Sequence, residues 1–142
     1  MKTVKDIMSK DVTYCLPEDS LIKAAEMMKQ HHVGAIPVCQ DNKEIIGMVT
    51  DRDLVLRGYA LDKPGTTKIK EVMTDHLITA EQNTNVKDAS SMMAEHQIRR
   101  LPIVENKKIV GIVALGDLSL DDKSNMAAGH ALEEISERPE IH

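Results

Sequence analysis

Ile46-Gly47-Met48-Val49-Thr50-Asp51-Arg52-Asp53-Leu54 returns later in the chain, altered, as Val110-Gly111-Ile112-Val113-Ala114-Leu115-Gly116-Asp117-Leu118. Each copy reads as an apolar strand, a turn, and an acid in the first turn of a helix. Such a junction brings strand-end side chains to a sheet edge, beside unpaired backbone N–H groups that carry partial positive charge. It is a place to hold something polar. In the first copy Thr50 adds a hydroxyl and Asp53 a carboxylate; in the second, Ala114 has lost the hydroxyl while Asp117 has kept the acid. The two junctions are siblings with different chemistry.

The correspondence extends outward from that stretch. Lys5-Asp6-Ile7-Met8-Ser9 aligns with Lys70-Glu71-Val72-Met73-Thr74, and Leu21, Ala24, Met28 and His31 fall on Val86, Ala89, Met93 and His96. Val33, Ile36, Pro37 and Val38 fall on Ile98, Leu101, Pro102 and Ile103, with a deletion in the turn around Asn106-Lys107. The chain is an internal duplication, and a unit this short cannot bury its own apolar face well. The expected organisation is a first repeat over 1–62, a turn-rich linker over 63–68, a second repeat over 69–120, and a tail over 121–142. In the tail, Ala127, Ala128, Ala131, Leu132 and Ile135 predict a short C-terminal helix.

Within a repeat, residues 12–16 read as a short strand closed by Pro17. Ser20 then precedes Leu21, Ala24, Ala25 and Met28, an apolar face at helical spacing. Ala35-Ile36-Pro37-Val38-Cys39 and Ile45-Ile46-Gly47-Met48-Val49 flank the polar turn Gln40-Asp41-Asn42-Lys43, which predicts a hairpin. Asp51 or Thr50 caps a second helix ending at Arg57-Gly58. The expected fold is α+β, with strand-helix-strand-strand-helix in each repeat and pseudo-twofold packing of the pair.

Composition narrows the function. Of 142 residues, 42% are hydrophobic, enough for a core. Tyr14 and Tyr59 are the only aromatics, and nine methionines fill irregular gaps. Without stacking platforms, and with a net charge of −5, the chain has no general surface for nucleic acid or anionic membrane. No apolar signal core opens it and no run is long enough to span a membrane, so a cytoplasmic protein is expected. Cys15 and Cys39 lie outside any Cys-x-x-Cys spacing and read as reduced, buried thiols. His31 and His96 close the first helix of each repeat, where an imidazolium complements the dipole, and no second ligand accompanies either at i+3 or i+4. No metal site, catalytic triad or phosphate-cradling glycine loop is found, so no enzyme is expected.

A tandem of such units, each closing on a form of Gly-x-x-[Thr/Ser]-x-x-Asp from which the second departs at Ala114, with Val33-Gly34-Ala35-Ile36-Pro37-Val38 and Ile98-Arg99-Arg100-Leu101-Pro102-Ile103 passing from helix to strand, resembles the CBS-domain pair, or Bateman module. The resemblance covers roughly residues 4–120. It implies two clefts between paired repeats that take adenosine compounds, dimerisation through helices, no obligatory cofactor, and regulation of a protein target in trans. AMP, ADP or ATP is the expected ligand. A sensor of S-adenosylmethionine and a ligand-free interaction scaffold stand as the alternatives.

In the family the acid after the last strand holds the ribose hydroxyls, a role that falls on Asp53 and Asp117; the plainer role for either is a helix-start acid. For the Asp53 cleft the resemblance implies Met48, Thr50 and Arg52 from the first repeat, with Thr84, Ala89, Arg99 and Arg100 from the second. Thr50 and Thr84 would donate to phosphate, the arginines would grip a phosphate chain, and Met48 and Ala89, with Ile78 nearby, would form a purine slot. Adjacent strand residues point to opposite faces, so one arginine of the pair is expected to reach the ligand. The Asp117 cleft takes Ile112, Ala114 and Gly116 with Asp19, Gly34 and Ala35. Its phosphate donors are lost and Asp19 would repel an anion, so the expectation is one nucleotide per chain, with this second cleft empty or taking an uncharged adenosine moiety.

Overall fold

The structure, a computed structural model, describes residues 2–119; the helix expected within 121–142 lies outside them. The described chain gathers into two compact units, one holding the residues up to Val12 and from Ile78 onward, the other Thr13–Leu77. Repeats and compact units are therefore cut at different points. Val4, from the opening of the first repeat, is fully enclosed in the apolar cluster of Ala80, Met93, Leu101 and Val113. Ile69 and Val72, from the opening of the second, are enclosed with Cys15, Ala24, Ile36 and Val49.

In the Thr13–Leu77 unit, α1 (Leu21–His31) buries Leu21, Ala24 and Met28, as the spacing predicts. Ser20 caps it by accepting from the Lys23 N–H, and His32 ends it in a left-handed turn, φ 54°. β1 (Ala35–Cys39) pairs antiparallel with β2 (Ile45–Thr50). Along β2 the odd-numbered residues are buried and Ile46, Met48 and Thr50 are half-buried on the other face.

The strand expected over 12–16 contracts to a single parallel bridge, Cys15 with Val38. Cys15 donates to the Pro37 carbonyl at 2.9 Å and accepts from the Cys39 N–H at 2.9 Å. Extending the ladder toward Val12 would need an N–H at Pro37, which proline lacks, so pairing stops there. The second helix is also less regular than expected. It opens as α2 (Asp51–Asp53), widens into a π turn over Leu54–Gly58, and tightens to a 3₁₀ turn over Tyr59–Leu61.

In the other unit, β3 (Ala80–Glu81) runs parallel to β4 (Arg100–Glu105), which pairs antiparallel with β5 (Lys108–Ala114). Asn85 caps α3 (Val86–His96) by accepting from the Asp88 N–H at 2.7 Å. The helix buries Val86, Ala89, Met93 and Ala94, and α4 (Leu115–Ser119) follows β5. Pro102 starts this parallel ladder at Ala80 as Pro37 starts its sibling at Cys15.

Two glycines let the exchanged segments lie flat on the last strands. Thr74 exchanges both backbone hydrogen bonds with Met48, at 2.8 and 2.9 Å, and Ser9 does the same with Ile112, at 2.9 and 3.0 Å. A Cβ on Gly47 would sit 2.8 Å from the Thr74 carbonyl oxygen and 2.9 Å from Met73 Sδ, and a Cβ on Gly111 would run into the Met8 side chain. The Gly47–Met73 and Gly111–Met8 contacts occupy matching positions in the duplication.

Candidate functional site

Thr50 ends β2 and its backbone turns into the helix. Its Oγ1 accepts from the Asp53 N–H at 3.0 Å, while Asp53 Oδ2 accepts from the Thr50 N–H at 3.0 Å. This reciprocal box satisfies two donors at the helix start and settles the capping residue as Thr50. Asp53 is 9% exposed. Its carboxylate meets a third group that sequence reading did not single out: Thr74 Oγ1 lies 3.4 Å from both Oδ1 and Oδ2. The available signal was the Thr74–Ser9 alignment, a hydroxyl recurring directly after each Ile-Met or Val-Met pair. Met48 shares the Thr50 face of β2, and Arg52 is exposed on the following turn. Gly34 and Ala35 lie beside them, through Asp51 N–H to Gly34 O at 2.9 Å and the Ala35–Thr50 register pair.

The sibling junction is barer. Asp117 Oδ2 accepts from the Ala114 N–H at 2.8 Å, and Ala114 offers no hydroxyl in return. Asp117 is half-buried, Gly116 exposed and Ile112 buried. Arg100 pairs with Ala114, and Arg99 O accepts from the Leu115 N–H at 3.1 Å, so both arginines flank this strand end. Arg99 is exposed and Arg100 half-buried. Thr84, just before the α3 cap, accepts the Val4 N–H on its carbonyl at 2.9 Å. Ile78 is half-buried against the core of this unit.

Of the residues expected around Asp53, the structure brings Met48, Thr50 and Arg52 to it in the Thr13–Leu77 unit. Ile78, Thr84, Ala89, Arg99 and Arg100 belong to the other unit. Of those expected around Asp117, Ile112, Ala114 and Gly116 share its unit, whereas Asp19, Gly34 and Ala35 are in the unit of Asp53.

Two of the expected residues are already engaged within their own units. Ala89, expected to line a purine slot, is fully enclosed in its unit's core. Asp19, expected to repel an anion, accepts from the Leu16 N–H at 2.8 Å and faces the Lys23 ammonium at 3.5 Å. The short turn after Leu16 recruits the carboxylate, and the lysine one helical turn on compensates its charge.

The cysteines are both buried thiols. Burial, then the charge of Asp19, pushes the Cys15 thiol up to about 11. Burial, then Cys15, pushes the Cys39 thiol up to about 12. Cys15 Sγ donates to Met27 Sδ at 3.4 Å. Among the described residues no three His, Cys, Asp or Glu side chains gather to hold a metal, and no helix is long and apolar enough to cross a membrane.

The family model for the CBS domain matches this chain twice, over residues 4–58 and 69–120. "Uncharacterized protein YlbB" of Bacillus subtilis (strain 168) is 48% identical over 138 residues, covering 96% of this chain and 93% of that protein. "CBS domain-containing protein YhcV" of the same organism is 48% identical over 136 residues, covering 96% of each. Among solved structures, CBSX2 in complex with AMP shares 28% identity at a TM-score of 0.74, over 82% of this chain and 92% of that one. The CBS domain pair of MJ0100, in complex with 5′-methylthioadenosine and S-adenosyl-L-methionine, shares 28% identity at a TM-score of 0.74, over 84% and 98%. Hypoxic Response Protein I, with two coordinated zinc ions, shares 33% identity at a TM-score of 0.77, over 84% and 98%.

Proposed function

This chain belongs to the CBS domain family, and we propose that it is a non-enzymatic, cytoplasmic regulatory module that binds an adenine nucleotide such as AMP, ADP or ATP. The observation that carries the reading is the Asp53 carboxylate, held at a strand end by the Thr50 N–H in a fold whose neighbour was crystallised with AMP. A carboxylate has lone pairs for more than one donor, and a ribose diol supplies two. In this reading Asp53 takes the ribose, Met48 and Ile78 the purine, and Thr50, Thr84 and one of Arg99 and Arg100 the phosphate. Among the described residues no acid pairs with either guanidinium, which leaves both charges available.

The output would be a change of arrangement or of partner choice, no larger than the ligand's difference in affinity for the two states. We assign a homodimer through the second helix, where Val55, Leu56, Tyr59 and Leu61 are exposed, Tyr59 at 85%. An apolar face of this kind marks an interaction surface.

A melting-shift screen over AMP, ADP, ATP and S-adenosylmethionine tests the ligand class, and calorimetry on variants tests the residues. Asp53→Ala and Arg100→Ala should each weaken AMP at least tenfold, the loss of about one charged hydrogen bond, with Asp117→Ala near wild type. A second reading places the ribose at Asp117, because Arg100 pairs with Ala114, whose N–H the Asp117 carboxylate holds. Loss on Asp117→Ala alone would select it. A flat melting response to all four compounds would instead favour a ligand-free scaffold.

A further inference from the structure

Thr74 lies in the exchanged opening segment of the second repeat, and its backbone is fixed against Met48 by two hydrogen bonds. Its hydroxyl can donate only one proton, yet it stands 3.4 Å from each Asp53 oxygen, between them rather than on either. That is where an incoming diol would place its two donors. The contacts are long for O–H···O⁻ bonds, so the hydroxyl is weakly held and can be displaced by turning the side chain. Thr74 is half-buried, whereas the Thr50 N–H, part of the backbone turn, stays. In the sibling unit the matching Ser9 is exposed, and among the described residues the Asp117 carboxylate is met by the Ala114 N–H and by no hydroxyl.

From this contrast we infer that Thr74 is a positioning residue whose hydroxyl is the resident donor to Asp53 in the free protein and is displaced by the two hydroxyls of a bound ribose. The inference rests on Asp53 being the ribose acid. A carboxylate this enclosed is costly to leave short of donors, so Thr74 satisfies it until the ligand arrives. The exchange makes the site selective for a full diol. A 2′-deoxyribose brings one hydroxyl, fills one oxygen, and leaves Thr74 on the other.

The test is calorimetry and thermal unfolding on the full chain, with AMP and 2′-deoxy-AMP as probes, for wild type, Thr74→Val, Thr74→Ser and Asp53→Ala. Thr74→Val keeps the shape and removes the donor. It should lower the melting temperature of the free protein, lower that of the AMP-saturated protein less, and tighten AMP about fivefold, one weak hydrogen bond's worth, while 2′-deoxy-AMP binds as to wild type. Thr74→Ser should restore wild-type behaviour. Equal destabilisation with and without AMP, or parallel changes for the two probes, would overturn the inference and leave the Asp53 reading standing. AMP binding unaffected by Asp53→Ala would overturn both.

Discussion

Gly47 and Gly111 occupy the same place in the two repeats, yet alanine at the two positions should differ by about 2 kcal/mol, a gap set by what each Cβ would meet. Neither glycine has a positive φ, so alanine is allowed by the backbone at both. At Gly47 the nearest atom is a backbone oxygen, Thr74 O at 2.8 Å, in a segment tied down by the Met48 pairs. It cannot move without breaking them. Overpacking costs about 1–3 kcal/mol and the strained backbone hydrogen bonds about 1 kcal/mol each, against about 0.4–1 kcal/mol recovered by restricting the unfolded chain. The net loss for Gly47→Ala is about 2–3 kcal/mol.

At Gly111 the obstruction is the Met8 side chain, with Cγ at 2.8 Å, and an unbranched thioether can swing aside. Gly111→Ala should fall within about 1 kcal/mol of wild type. Urea unfolding of the two variants, compared by midpoint at constant slope, reads the difference. Equal midpoints, or a larger loss for Gly111→Ala, would refute the view that backbone against side chain decides the cost.

The buried thiols should make stability fall in alkali. Their pKa values are raised above 9.0 in the folded chain, so their contribution is intact below about pH 9 and is lost as pH rises toward 11 and beyond. Urea midpoints from pH 8 to 10.5 should drop, less so in a Cys15→Ala/Cys39→Ala chain, and a thiol reagent at pH 7 should react only on unfolding. An unchanged slope in the double variant would exclude the thiols as the cause. Hydrogen bonds from Lys68, then Lys70, hold Glu18 down at about 2, against 4.5 unperturbed. Its stabilisation is therefore present above about pH 4.5 and lost as pH falls toward 2. Glu18→Gln should melt slightly below wild type at pH 7, with the gap closing by pH 2 and shrinking in high salt, since the pair is exposed. A gap constant in pH would point to something other than charge.

Much of this architecture was legible because it is written in local pattern. Leu21, Ala24 and Met28 mark the buried face of α1, and the hairpin falls on either side of Gln40-Asp41-Asn42-Lys43. The duplication exposed the paired strand ends with Asp53 and Asp117. What stayed hidden depends on residues distant in sequence. Nothing local to residues 12–16 says that Pro37 will withhold the donor they need. Nothing near Thr74 says that it will lie on Met48 and point at Asp53. Periodicity placed Ala89 on an inward face, but the face served the unit's own core. Side-chain type and repeat position thus marked the acids, while their surroundings came from the exchange of opening segments.

The central claim is that a single adenine nucleotide is held through the Asp53 carboxylate. Titration calorimetry of the full chain with AMP at moderate salt measures it directly. The account predicts saturable binding at one AMP per chain, lost on Asp53→Ala and retained on Asp117→Ala. Two equivalent sites per chain, or binding that survives Asp53→Ala, would contradict it.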